Sequence, residues 1–296
     1  KGSMMMSKHK TLAVGLAVSA LALPFAAAAA DSPHTLTGNV GIFSQYIFRG
    51  LTQTNEKPAL QGGLDYSHSS GFYAGTWLSN ISWFTDQNAG TLAAPVPLGS
   101  PGPVGAPYTP TGSNSASLEW DAYLGFKGAF AGDWSYDVGY LHYEYPGTYD
   151  NLGFFAKPNT NELYGAIGWK WVTAKYSHSL GDTFGMKDAE GTYYLDLSAA
   201  IPLGDSGFTL GLHAGKQKYK GTNTALWGAS GCTNDCLSYT DYKISINKEY
   251  VGLNWGLAFT STDADATHPV FGALYQNVYG KNIGRSQAVV SVQKTF

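Results

Sequence analysis

Histidine and serine are the side chains of this sequence that could carry covalent chemistry, and their spacing argues against it. Three histidines, His142, His178 and His213, fall in segments that alternate like strands. His178 stands between Ser177 and Ser179, but neighbouring residues of a strand face opposite sides and cannot pair. The sequence contains no Gly-x-Ser-x-Gly motif and no His-x-x-x-His metal spacing. We therefore expect no enzyme, no metal site and no cofactor.

Two cysteines, Cys232 and Cys236, form the motif Cys-Thr-Asn-Asp-Cys. In an exported chain they would meet an oxidising compartment, which favours a local disulfide. A metal site is the alternative, but two thiols without a nearby histidine are a weak ligand set. Five acidic residues in the loops could hold calcium, but we favour the interpretation that they are ordinary polar loop residues. They are Asp182, Asp188, Glu190, Asp263 and Asp265.

The composition of the 296 residues limits the class of protein. Charged residues make up 13% and aromatic residues 14%, with 20 tyrosines and 37 glycines. A disordered chain would be richer in charge and poorer in aromatics. A pI of about 6.2 without a basic block gives no support for a nucleic-acid partner. Mean hydropathy of −0.15 is too low for a bundle of membrane helices, whereas it suits a membrane β-barrel.

The first thirty residues are typical of a signal peptide. Lys8, His9 and Lys10 precede an apolar run over 11–25, and Ala26–Ala30 provide small residues for cleavage. Residues 1–3, ahead of a methionine cluster, are interpreted as non-native or mis-called. Residues 31–296 are predicted to form one domain. Removal of 1–30 takes away three lysines and no acid, so the formal charge changes from −3 to −6.

Period-two alternation of apolar and polar residues runs through the rest of the chain and predicts strands rather than helices. In 117–127, for example, Leu118, Trp120 and Leu124 alternate with Glu119 and Asp121. The predicted strands number twelve: 36–48, 59–67, 72–82, 117–127, 134–144, 161–168, 172–180, 192–202, 208–219, 240–247, 250–261 and 286–296. Most have the ~9–11 residues that a tilted strand needs to cross a bilayer.

Long and short connections alternate between these strands. The short ones are 68–71, 128–133, 169–171, 203–207 and 248–249, and the intervening ones hold 10 residues or more. An outer-membrane barrel has short periplasmic turns and long extracellular loops, so the pattern predicts an all-β, transmembrane, antiparallel barrel of about 12 strands. The proline-rich connection 83–116 could fold inward or lie over the mouth, but a disordered surface loop is favoured slightly.

Aromatic residues cluster beside the short turns, as expected for a girdle at the membrane interface. They are Phe72, Tyr73, Phe126, Phe130, Trp134, Trp169, Trp171, Phe208 and Tyr250. The final predicted strand carries Ala288, Val290 and Val292 on the face of Phe296. A terminal aromatic on such a strand resembles the recognition signal of outer-membrane barrel assembly. We therefore expect outer-membrane lipid, lipopolysaccharide and the barrel-assembly machinery as partners.

Strict alternation also predicts which side chains line a pore: Gln45, Arg49, Asp65, Glu119, Asp121, Lys127, Asp137, Glu162, Lys175, Asp196, His213, Lys243 and Asn254. Six acids against four lysines and arginines would give a weak preference for cations over anions. We expect passive passage of small polar solutes. The alternative is a structural or adhesive barrel whose lumen is plugged by charges that pair across it.

Three stretches resemble the TorF family of porins, a proteobacterial family. They are NVGIFSQYIFRGLTQ at 39–53, PALQGGLDY at 58–66 and GFYAGTW at 71–77, the last followed by Ser79 and Asn80. The resemblance is strong over 36–82 and continues in strand order to Phe296. It implies an outer-membrane β-barrel with a channel role in a Gram-negative bacterium.

Overall fold

The computed structural model describes residues 32–89, 114–149, 155–228, 230–264, 267–268 and 272–296. The signal peptide predicted for 1–30 and most of the proline-rich connection 83–116 lie outside these residues. Every segment with clear period-two alternation forms a strand, because alternation lets one face of the strand meet an apolar medium and the other a polar one.

Twelve strands build the domain, as the alternation predicts. We label them β1 to β12 in chain order: His34–Phe43, Ala59–His68, Phe72–Asn80, Leu118–Phe130, Trp134–Glu144, Thr160–Trp169, Val172–Ser179, Tyr193–Pro202, Phe208–Lys218, Tyr239–Tyr250, Leu253–Thr262 and Gln287–Thr295.

The strands form a closed antiparallel barrel, because each pairs with the next and β12 returns to β1. Along the closing seam Asn39–Phe43 lie opposite Ser291–Thr295, and Gly38 and Phe296 exchange two backbone hydrogen bonds. Closure leaves no open sheet edge, because every strand is hydrogen-bonded to a neighbour on each side. The prediction of a twelve-stranded antiparallel barrel is confirmed.

The barrel reverses the usual burial of a water-soluble protein. On its outer face Leu36, Leu60 and Phe259 are 70%, 60% and 55% exposed, whereas the interior residues Glu119 and Asp121 are each 1% exposed. An exterior of exposed leucine, valine and phenylalanine around the whole ring is too extensive to face water. It is the apolar band of a membrane-spanning barrel.

Five short turns join strands at one end of the barrel, and six longer connections lie at the other. The short turns are 69–71, 131–133, 170–171, 203–207 and 251–252, and the long connections are 44–58, 81–117, 145–159, 180–192, 219–238 and 263–286. The alternation of short and long connections is therefore as predicted. We refer below to the turn end and the loop end.

Three details of the sequence interpretation are wrong. β1 ends at Phe43 rather than at 48, because the chain leaves the barrel wall and folds into the interior. The fifth short turn is Val251–Gly252 rather than 248–249, because φ is positive at both residues and permits the reversal there. Tyr73 does not belong to the outer aromatic girdle: it points inward and donates to Asp137.

The remaining elements are short. Strands Ile47–Phe48 and Leu51–Thr52 form a small hairpin, and Thr267–His268 pairs with Gly272–Ala273. Helical turns cover Thr85–Ala89, Gly204–Ser206, Thr224–Trp227 and Asn234–Leu237. Among the described residues, no helix has the length and apolar character needed to cross a membrane.

The long connections pack into a cap rather than standing apart. One apolar cluster joins Met186, Trp227 and Tyr275, which come from three different connections, and another joins Tyr46, Phe84 and Tyr145, again from three. Cys232 and Cys236 are bonded to each other at a Cα–Cα distance of 6.0 Å within this cap.

Candidate functional site

The barrel interior holds the side chains for which the sequence predicts a pore. Eleven of them lie on the inner face of a strand: Asp65, Glu119, Asp121, Lys127, Asp137, Glu162, Lys175, Asp196, His213, Lys243 and Asn254. Gln45 and Arg49 also lie inside, but they belong to the connection 44–58 rather than to a strand. Their role as lining of a conducting path stays a prediction.

The connection 44–58 enters the lumen as a tight hairpin. Ile47 pairs with Thr52 and Phe48 with Leu51, which leaves Arg49 and Gly50 as a two-residue turn. Both turn residues have positive φ, 45° for Arg49 and 79° for Gly50, the pattern of a type I′ turn. Positive φ is unfavourable for arginine, so contacts of its side chain must hold this geometry.

Arg49 makes those contacts across the width of the barrel. Its Nη2 donates to both carboxylate oxygens of Glu162 at 2.9 and 2.7 Å, and its Nη1 donates to Gln217 Oε1 at 2.8 Å. The guanidinium also lies over the ring of Tyr194, 4.4 Å from its centroid. Because β6, β8 and β9 supply these partners, one side chain ties the hairpin to three strands of the wall.

Carboxylates on the inner wall accept hydrogen bonds from tyrosines. Tyr46 donates to Glu119 at 2.7 Å, and the contacts of Tyr73 with Asp137 and of Tyr123 with Asp65 are 2.5 Å. A hydroxyl donor adds no positive charge to the wall, unlike a lysine or arginine partner.

Asp121 differs from these acids. It is 1% exposed, and neither carboxylate oxygen has a hydrogen-bond partner among the described residues. Glu119 lies two residues away on the same face of β4. An ionised carboxylate that is neither hydrated nor paired carries a large desolvation cost. Asp121 is therefore placed to hold water, a proton or a cation.

Tyr145, which follows β5, lies close to the acids of β4. Burial raises the pKa of Tyr145 well above its usual range, and the nearby charges of Glu119 and Asp121 raise it further. Tyr145 therefore remains a neutral hydrogen-bond donor at the loop end of the acidic wall.

His213 is the centre of a second polar network. Its Nε2 lies 2.9 Å from Asp241 Oδ1, and its Nδ1 lies 3.0 Å from Ser198 Oγ and 3.4 Å from Asp196. Serine, histidine and aspartate contacts of this kind could form a nucleophile. Here, however, two carboxylates flank the imidazole and favour its charged form, while Ser198 donates to Asp196 at 2.5 Å. The geometry therefore fits a structural ion network rather than an activated serine.

Several interior residues were missed by the sequence interpretation. Asp241 stands two residues before Lys243 on β10 and shares its face, so strict alternation was a sufficient signal for it. Tyr46, Tyr73 and Tyr194 were missed because tyrosine suits both a lipid interface and a wet lumen.

Ligand sets for metals are not assembled in the part of the chain that the structure describes. No group of three or more His, Cys, Asp or Glu residues could hold a metal ion there. Of the acidic loop residues considered for calcium, Asp182 accepts the backbone N–H of Asp188 at 2.9 Å. Asp265 lies outside the described residues. Both cysteines are used by the disulfide.

Solved structures similar to this chain are outer-membrane barrels of low sequence identity. A KdgM porin in complex with disordered oligogalacturonate is 8% identical with a TM-score of 0.46, over 88% of this chain and 99% of that chain. A NanC porin is 9% identical with a TM-score of 0.43, over 88% and 98%. The outer membrane channel DcaP of Acinetobacter baumannii is 11% identical with a TM-score of 0.40, over 89% and 97%.

Sequence comparison gives a family instead. No curated protein matches the chain. One family model, described as bacterial protein of unknown function (Gcw_chp), matches residues 27–296. Since that match spans the whole barrel, the chain belongs to the Gcw_chp family.

Proposed function

We propose that this protein is an outer-membrane channel of the porin type, which passes small polar solutes passively and weakly prefers cations. The observation that carries the proposal is the inner wall of the closed barrel, where acidic side chains outnumber basic ones. With Asp241 and its partner His213 both counted, seven acids face four lysines and arginines and one histidine. An acidic wall attracts cations and repels anions.

Location and partners follow from the same proposal. The apolar exterior would face outer-membrane lipid, with the turn end towards the periplasm and the loop end, next to lipopolysaccharide, outside. Export through the predicted signal peptide and insertion by the barrel-assembly machinery would precede function. The resemblance of 39–53, 58–66 and 71–77 to the TorF family supports this assignment to a Gram-negative outer membrane.

The Arg49 hairpin favours a second candidate, a barrel that does not conduct. The side chains of Arg49 and Glu162 are 7% and 1% exposed, so their ion pair lies in the interior rather than at a wet rim. If the hairpin fills the cross-section, the protein would serve as a structural or adhesive barrel.

Single-channel conductance of the purified full chain in planar bilayers separates the two candidates. Discrete conductance steps with a cation-directed reversal potential in a salt gradient support the channel. No steps from protein that runs as a folded, heat-modifiable band in electrophoresis would support the non-conducting barrel. An anion-directed reversal potential would contradict the proposed role of the acidic wall.

A further inference from the structure

A cavity of about 140 Å³ lies among the connections at the loop end. All six long connections contribute an aromatic ring to its lining: Phe48, Phe84, Tyr145, Phe184, Tyr219 and Tyr275. Rings on loops that act independently would pack within their own loop or point away from one another. Their convergence on a single space is typical of a preformed binding site, where a mostly apolar wall surrounds a few polar groups.

Size and charge restrict what the cavity can hold. A cavity of about 150 Å³ accommodates benzene, so this one has room for a single six-membered ring with small substituents. Among the described residues that line it, none has a charged side chain. An ion would therefore lose its hydration here without gaining a counter-charge. Arg49, which adjoins the cavity through Phe48, is already paired with Glu162.

Several polar groups of the lining already have partners in the protein. Thr52 accepts from the Glu56 backbone, Gln53 donates to the Leu51 carbonyl, and Gln217 accepts from Arg49. A hexose carries a hydroxyl on almost every carbon and would need partners for most of them, whereas an aromatic ring needs none.

We propose that this cavity is a binding site for a neutral solute with one aromatic ring. The surrounding rings would stack against the ligand edge-to-face or offset. The inference goes beyond the proposed channel, since binding at the loop end does not require that the barrel conduct.

Benzyl alcohol is a suitable probe, because it is neutral and carries one ring and one oxygen. Binding would be measured by saturation-transfer difference NMR with the full chain in lipid nanodiscs. Ala156→Trp fills the cavity from a residue that lines it, without removing a packed side chain, and should abolish the protein-specific signal.

Ala129→Trp is the matched control, because Ala129 is exposed at the turn end of β4. It adds the same side chain far from the cavity and should leave binding unchanged. Partition of the probe into lipid is the same for all variants, so the difference between the two tryptophan variants reports the site itself.

Glucose and benzoate complete the test as a neutral sugar and a charged aromatic. Both should bind at least tenfold more weakly than benzyl alcohol. Equal signals from wild type and Ala156→Trp, or stronger binding of glucose or benzoate, would overturn the proposal. Conductance recorded on the same preparations tests the channel separately from the binding site. A barrel that does not conduct can still bind the ring, and a conducting barrel can fail to bind it.

Discussion

Arg49 combines two unfavourable features, a buried positive charge and a left-handed backbone. A non-glycine residue at φ 45° costs of the order of 1–3 kcal/mol and persists only when its surroundings enforce it. Glu162, Gln217 and the ring of Tyr194 provide that enforcement. The hairpin is thus held in the lumen by side-chain contacts, those of Arg49 and Tyr46 among them, rather than by an extended ladder.

Replacing Glu162 tests this arrangement. Glu162→Gln leaves the guanidinium buried without a charged partner, and loss of one partner from a buried pair typically costs about 3–5 kcal/mol. We expect the hairpin to leave its position and the single-channel conductance to rise several-fold. Lys170→Gln is the control, because it removes an exposed ion pair with Asp133 at the turn end. Equal conductance of wild type and Glu162→Gln would show that the hairpin does not limit flow.

Three consecutive residues of β4 test separately the roles of the inner and the outer face of the barrel. Glu119→Gln and Asp121→Asn should each lower cation selectivity, because each removes a carboxylate from the inner wall. Trp120 is 45% exposed on the outer face, so Trp120→Asn should instead reduce the yield of folded barrel. Reversal potentials and the heat-modifiable band measure the two effects. Unchanged selectivity in Asp121→Asn would contradict the idea that the acidic wall determines cation selectivity.

At the scale of elements, the sidedness of the connections can be tested with added cysteines. Both native cysteines are bonded, so the background of free thiols is low. Tyr279→Cys lies in the long connection 263–286 and is 48% exposed in the native protein, whereas Ser70→Cys lies in a short turn. A membrane-impermeant maleimide applied to intact cells should label the first and not the second. Labelling of Ser70→Cys would contradict the proposed orientation, in which the turn end faces the periplasm.

The disulfide between Cys232 and Cys236 closes a small ring, so its contribution should be modest. Loop-entropy arguments place it at the low end of ~2–4 kcal/mol. The strand ladder stabilises the barrel independently, and we expect reduction to leave the thermal unfolding midpoint almost unchanged. Two free thiols after denaturation of unreduced protein would contradict the bond itself, and a large fall in the midpoint would contradict its local role.

The strands could be predicted from the sequence because a membrane barrel imposes alternation on each of them separately. The hairpin of 44–58 could not. Phe48 and Arg49 continue the apolar and polar alternation of β1, so the sequence resembles a longer strand. Its inward fold depends on Glu162 and Gln217, which are more than a hundred residues away. The tyrosine partners of Glu119 and Asp137 were missed for the same reason, since each pair joins different parts of the barrel.

For the whole molecule, the acidic interior predicts how selectivity depends on salt. The Debye length is about 10 Å at 0.1 M and about 3 Å at 1 M, so charges on the wall act across the lumen only at the lower concentration. Cation preference should therefore fade as salt rises at a constant gradient. Reversal potentials over this range measure it. A preference that stays constant up to 1 M would show that the long-range field of the wall is not its source.

The shared cap at the loop end also bears on how such a protein can be altered. Outer loops of barrels usually accept foreign peptides, because each loop stands alone above the membrane. Here rings from all six long connections meet in one space, so an epitope placed beside one of these rings would disturb the other five. A peptide placed at Gly132, where an added Cβ would have no neighbour within 4 Å, would disturb none. The tolerant end for grafting is therefore the one with the short turns.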